Sequence, residues 1–153
     1  MEKESEMVTI AEAMWTHGYS MQIEYPDRLA RVWKAGFYIE VEGQPNSTNW
    51  FHFAIPTTVI VNDNRLRAES VMLLFDTLST DALVRDVHIY DGDARIATHN
   101  GVNLSGNAGF VRFDIPNNPN VKWGIGISIG VSFGNGPASR TMRFKSAGCD
   151  FLP

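Results

Sequence analysis

The chain holds a single cysteine, Cys149, so an internal disulfide is excluded. Cys149 sits in Ser-Ala-Gly-Cys-Asp-Phe, and its nearest charge, Asp150, disfavours the thiolate, so it reads as a buried, inert thiol. Basic residues are few and scattered: 13 Lys and Arg stand against 17 Asp and Glu, a formal net charge of −4. They gather at most in Arg65/Arg67 and Arg140/Arg143/Lys145, which excludes the clustered positive face of a nucleic-acid binder. No apolar run approaches the roughly 20 residues of a membrane helix, so no membrane partner is expected. The start, Met-Glu-Lys-Glu-Ser-Glu, has neither the positive charge nor the apolar core of a secretory signal. A soluble, cytoplasmic protein is the expectation.

Recognisable catalytic and cofactor motifs are missing too. No nucleophile elbow is present: the Gly-x-Ser-x-Gly spacing at Gly126-Ile-Ser128-Ile-Gly130 falls inside a strand pattern with no helix following, and Leu104-Ser105-Gly106 falls in a loop. There is no phosphate loop, and Gly124-x-Gly126 lies inside a strand pattern with no helix following, which excludes a dinucleotide fingerprint. His17, His52, His88 and His99 include no His-x-His pair and no His-Glu-x-x-His, so no metal is expected. Asn62-Asp63-Asn64 and Asp91-Gly92-Asp93 resemble calcium loops but lack the downstream glutamate; they read as hairpin turns. No cofactor is implied.

What the chain does have is glycine, proline and alternation. Thirteen glycines and seven prolines punctuate about nine to eleven short strand patterns, with no long helix. The most informative stretch is Trp123 to Phe133. Ile125, Ile127, Ile129, Val131 and Phe133 share one face; Gly124, Gly126, Ser128, Gly130 and Ser132 share the other. The first face is made for burial. The second is almost bare, so a backbone, a large aromatic or a ligand can approach it closely. Such a strand belongs in the middle of a sheet.

Further strand patterns run through Tyr19–Tyr25, Phe37–Val41, Asn49–Ile55, Val59–Val61, Ser70–Phe75, Val84–Tyr90, a return strand from Ile96, Phe110–Ile115 and Thr141–Phe151. The architecture implied is an antiparallel, jelly-roll-like β-sandwich in one domain, residues 14–153, with a closed barrel as the alternative. Residues 1–13 read as an acidic arm in which Met7, Ile10, Ala11 and Met14 have helical spacing.

Two strands carry candidate chemistry. Phe51, Phe53 and Ile55 share a face, which sends Trp50 and His52 to the other; Val87 and Ile89 likewise oppose Asp86, His88 and Tyr90. If both polar faces line one cleft, imidazoles, indole, phenol and carboxylate converge. That set suits a sugar or aromatic ligand, or proton transfer with Asp86 orienting an imidazole. Taken singly, each histidine reads first as an outward-facing or a hydrogen-bonded, half-buried strand residue. Trp15 and His17, in Trp-Thr-His-Gly, are candidates for a pocket or a subunit interface. Trp33 joins them in a set of four tryptophans, of which Trp123 reads as a core or rim residue. The bare strand face would also stack on a symmetry mate, so a homo-oligomer is an open alternative.

The segments Trp15-Thr-His-Gly, Glu24-Tyr-Pro, Asn49-Trp-Phe-His-Phe-Ala-Ile-Pro, Val84-Arg-Asp-Val-His-Ile-Tyr-Asp-Gly, Gly124-Ile-Gly-Ile-Ser and Ser146-Ala-Gly-Cys-Asp-Phe form a recognisable set. From Trp15 to the C-terminus the chain resembles a group of small, largely bacterial proteins known only as a domain of unknown function. The resemblance implies no activity and no catalytic residue. The functional expectation therefore rests on the residues: a binding module for a small organic or carbohydrate ligand. The alternatives are a cofactor-free enzyme and an assembly protein.

Overall fold

Period-two alternation separates a buried from an exposed face only if the backbone is extended. The computed structural model, which describes residues 9–107 and 109–153, is built almost wholly of such strands. In chain order they are β1 (Glu12–His17), β2 (Gln22–Ile23), β3 (Leu29–Lys34), β4 (Ile39–Gly43), β5 (Thr48–Ile55), β6 (Ile60–Val61) and β7 (Asn64–Arg65), followed by β8 (Arg67–Thr77), β9 (Ala82–Asp91), β10 (Ala94–His99), β11 (Gly109–Asp114), β12 (Ile125–Phe133) and β13 (Thr141–Leu152). Two single 3-10 turns, Gly18–Ser20 and Pro26–Arg28, are the only helical pieces among the described residues.

The strands form two large antiparallel sheets and a separate two-stranded ribbon, β6-β7. One has the order β11-β8-β13-β4-β3, with β1 also paired to β13; the other has the order β10-β9-β12-β5-β2. Each ends on two different edge strands, so neither closes on itself. The closed-barrel alternative is thereby corrected, and the fold is a jelly-roll-like sandwich. Strand β12 lies at the centre of the second sheet, paired to β9 on one side and β5 on the other. Central pairing offsets the poor strand preference of its glycines.

The core lies between the sheets. Phe51, Phe53 and Ile55 of β5 and the Ile125–Phe133 stripe of β12 face Val71, Leu73 and Phe75 of β8 and Phe144, Cys149 and Phe151 of β13. Phe144 lies with its ring 5.2 Å from Phe51 and 5.8 Å from Phe53, in tilted and edge-on contact. Cys149 is fully buried, and that burial, with Asp150 beside it, pushes its thiol far above the usual range.

Several elements depart from expectation. Ala11 and Met14 are not helical: Met14 lies in β1, which begins at Glu12 opposite Phe151, while Met7 falls outside the described residues. Only Gln22 and Ile23 of the Tyr19–Tyr25 segment pair as a strand, because the chain first makes a turn at Gly18–Ser20. Strand β3 had no alternating signal, since it is an edge strand with five of its six residues exposed. The Asn62-Asp63 and Gly92-Asp93 hairpins do form, with positive φ at Asn62, Asp63 and Gly92.

Candidate functional site

The outer face of the second sheet is where the two polar patterns meet. Strand β12 separates β5 from β9, and its register places Ser128 between His52 and His88, Gly130 between Trp50 and Asp86, and Gly126 between Ala54 and Tyr90. With no side chain at Gly130, the Trp50 indole lies across β12. A Cβ at Gly130 would stand 3.0 to 3.2 Å from its Cη2, Cζ3 and Cζ2 atoms. That brings the Trp50 ring to 5.1 Å from the His88 imidazole, a tilted pair formed over the intervening strand. Gly126 is different: a Cβ there would meet nothing nearer than the Phe53 carbonyl oxygen at 3.9 Å. Its surface stays open.

Three depressions follow one another along this face. The largest, about 480 Å³, has Gly124 and Gly126 as its floor, His52, Ala54 and Tyr90 along its sides, and Gln22 at its edge. The next, about 140 Å³, is ringed by Glu24, Trp50, His52, His88, Tyr90 and Ser128. Beyond Trp50 a third of about 170 Å³ is lined by Thr48, Asn49, Arg85, Asp86 and Gly130. Together they make one shallow groove from Gly124 to Gly130, about 20 Å at the rise of an extended chain.

Hydrogen bonds hold the polar groups of the groove in place. His52 is gripped at both ring nitrogens, Nδ1 at 2.8 Å from Ser128 Oγ and Nε2 at 2.9 Å from Glu24 Oε1. A carboxylate only accepts, so Nε2 carries a proton, and in the neutral ring Nδ1 accepts from the serine hydroxyl. Glu24 arrives here because the chain after β2 stays beside β5, the Glu24 N–H donating to Trp50 O at 3.0 Å. His88 Nε2 pairs with Asn100 Oδ1 at 2.8 Å. Asp86 orients no histidine: its carboxylate accepts the Gly101 N–H at 3.1 Å. The expected role of Asp86 is therefore corrected.

Of the residues singled out from sequence, Trp50, His52, His88 and Tyr90 share the middle depression, and Asp86 borders the next. Trp15 and His17 do not join them. They lie on β1, in the other sheet, where Trp15 covers Gly148 with its ring 5.9 Å from Phe110. His17 packs on Tyr19 at 4.0 Å and accepts its N–H. His99, on edge strand β10, bonds the Asp114 carbonyl at 2.7 Å. Among the described residues no three His, Cys, Asp or Glu side chains gather as a metal would require. Glu24, Asn100 and Gln22 were not among the candidates; the signal for two of them is in the Tyr19–Tyr25 pattern, where Gln22 and Glu24 alternate with Met21 and Ile23.

The Gly124 end of the groove is built on Asp91. Its carboxylate, 5% exposed, accepts the N–H groups of Lys122, Trp123 and Gly124 at 2.8 to 3.1 Å. Burial alone would push this carboxyl up. The three amides and the Lys122 charge outweigh burial and hold it below its ordinary value. The loop so fixed presents Trp123, which is 76% exposed and packs against Gly92. Of the two places expected for Trp123, core or rim, it takes the rim, and projects from it.

Solved structures share this fold at low sequence identity. A low-affinity xylan-binding module, CBM86, from the gut symbiont Roseburia intestinalis superposes with a TM-score of 0.56 at 14% identity, covering 92% of this chain and 96% of that one. The module CBM27-1 of Caldicellulosiruptor saccharolyticus, solved with mannohexaose, gives 0.53 at 8% identity over 90% and 96%. The Stig cyclase Fisc of Fischerella sp. TAU, solved with an indole compound, gives 0.51 at 11% identity over 98% and 91%. No curated protein matches the sequence. At the level of sequence, residues 10–151 match a family of unknown function, DUF6623, and the chain belongs to that family.

Proposed function

We propose that this chain is a carbohydrate-binding module whose groove along β12 takes an extended oligosaccharide. The observation that carries the reading is the Trp50–His88 platform raised beside an open glycine floor. A pyranose ring has apolar C–H faces and a rim of hydroxyls. It is matched by an aromatic face flanked by polar groups, here Glu24 and Asn100, which hydrogen bonds to His52 and His88 hold in place, and the Tyr90 hydroxyl. The three depressions extend in sequence along β12, which suits several units of a chain rather than a single terminal one. Two of the three fold relatives are described as binding polysaccharide or oligosaccharide and one as a cyclase, so fold alone does not choose between them. The choice rests on the groove.

A second reading, acid–base catalysis at His52, draws on the Glu24–His52–Ser128 chain of hydrogen bonds. Against it, Ser128 sits mid-strand with both neighbours paired, so the amides around it are engaged in the ladders rather than aimed at a developing oxyanion. Titration calorimetry with xylohexaose and mannohexaose tests both. Binding of at least one, weakened about 30-fold or more in Trp50→Ala, is the expected result, since a buried aromatic anchor contributes on the order of 2 kcal/mol. Neither sugar binding at millimolar concentration would overturn the proposal. Recovery of shortened sugar would favour catalysis.

A further inference from the structure

The groove does not stop at Gly124. On the far side of Trp123 lies a separate depression of about 370 Å³, lined by Arg65, Asn120, Lys122 and Trp123. Trp123 has one edge against Gly92, a residue that also borders the largest depression, so its indole stands between the two. Neither Arg65 nor Lys122 forms an ion pair among the described residues. Arg65 is steadied by one bond, Nη1 to the Val121 carbonyl at 2.8 Å, which leaves the rest of its guanidinium to an incoming group. The backbone below is rigid, since Asp91 holds three successive amides of this loop.

We propose that this depression is an acidic subsite: a uronic-acid unit of the bound chain stacks on Trp123 while its carboxylate lies between Arg65 and Lys122. The inference rests on the groove reading for the path of the chain and adds the charge of the unit at this end. Guanidinium and ammonium groups make their strongest hydrogen bonds to carboxylates, and an exposed indole supplies the apolar face that a pyranose covers. The chain as a whole carries −4 and does not draw anions from a distance. Attraction here is local, acting within the screening length of about 8 Å at physiological salt.

The four tryptophans give the test a built-in set of reporters. Trp50 reports the groove and Trp123 the acidic subsite, while Trp15 and Trp33 lie on strands of the other sheet. The protein is titrated with cellohexaose and with the same hexasaccharide oxidised at C6 to glucuronate units, following the indole N–H signals by NMR. The oxidised chain is expected to bind about tenfold tighter and to shift Trp123, a preference that disappears in Lys122→Gln and in Arg65→Gln and weakens with added salt. Equal affinities, or a preference untouched by both substitutions, would overturn the subsite. Trp50 shifting with either sugar while Trp123 stays fixed sinks the subsite and leaves the groove standing. Trp123 shifting with the oxidised chain alone, and Trp50 with neither, supports the subsite and sinks the groove. No shift with either sugar at millimolar concentration overturns the subsite, while the groove stands or falls with xylohexaose and mannohexaose.

Discussion

Asp91 shows how a single side chain acquires a role its sequence context conceals. In the sequence Asp91-Gly92 is a hairpin dipeptide, and the turn does form. What the spacing does not reveal is that the Asp91 carboxylate points away from the turn and organises residues some thirty positions later. Asp91→Asn keeps the shape but gives up the charge and, because its amide nitrogen cannot accept an N–H, at least one of the three hydrogen bonds, so it should cost about 1–3 kcal/mol near neutral pH by urea unfolding. The pH dependence has a definite sign. The native carboxyl is held below 3.8, so the unfolded chain takes up the proton first. Stability from this group is whole above pH 3.8 and is lost as pH falls through the native value. The gap between wild type and variant should close on acidification below 3.8. Parallel curves there would assign the cost to something other than the charge.

At the scale of the element, β12 was readable because its two faces differ in kind: a branched aliphatic face must be buried and a face of glycine and serine must be approached. The sequence could not say which aromatic makes the approach. That depends on β5 being the neighbour, a pairing between residues about 80 apart in the chain (Trp50 with Gly130). Phase was hidden as well. Strand β9 pairs Asp86 with Gly130 but Val84 with Val131, a bulge that leaves Arg85 outside and turns Val84 inward, out of step with Val87 and Ile89. A matching irregularity at Lys145 lets β13 bury Phe144 and then Ala147. Strict alternation cannot anticipate either. The two glycines of β12 should answer differently to alanine. Gly126→Ala has room and should gain about 0.5–1 kcal/mol from the stiffer backbone, whereas Gly130→Ala must lift Trp50 and should gain nothing. Both should weaken oligosaccharide binding by calorimetry, one by filling the floor and the other by displacing the platform. Unchanged affinity in Gly130→Ala would detach Trp50 from the site.

For the whole molecule, the groove is the outer surface of the same strands whose inner surface is the core. Trp50 and His52 alternate with Phe51 and Phe53, so the platform stays in place only as firmly as those two rings are held. They are held by Phe144, from the opposite sheet. Burial of such side chains, at about 1.5–3 kcal/mol each, joins the sheets into one structure. Removing the ring leaves a cavity that a close-packed interior fills only in part. Phe144→Ala should therefore cost about 3–5 kcal/mol, a large fraction of the usual 5–15 kcal/mol margin. If the sheets share one core energetically as they do geometrically, the indole signals of Trp50 on one sheet and Trp33 on the other should disappear together in a single denaturant transition, earlier in the variant but still coincident. Separate midpoints would mean that the groove-bearing sheet holds its shape without its partner. Ligand binding would then survive in Phe144→Ala after the other sheet had melted. Coincident loss instead makes Phe144, which is buried between the sheets and lines none of the depressions of the groove, a determinant of the groove's shape through the core.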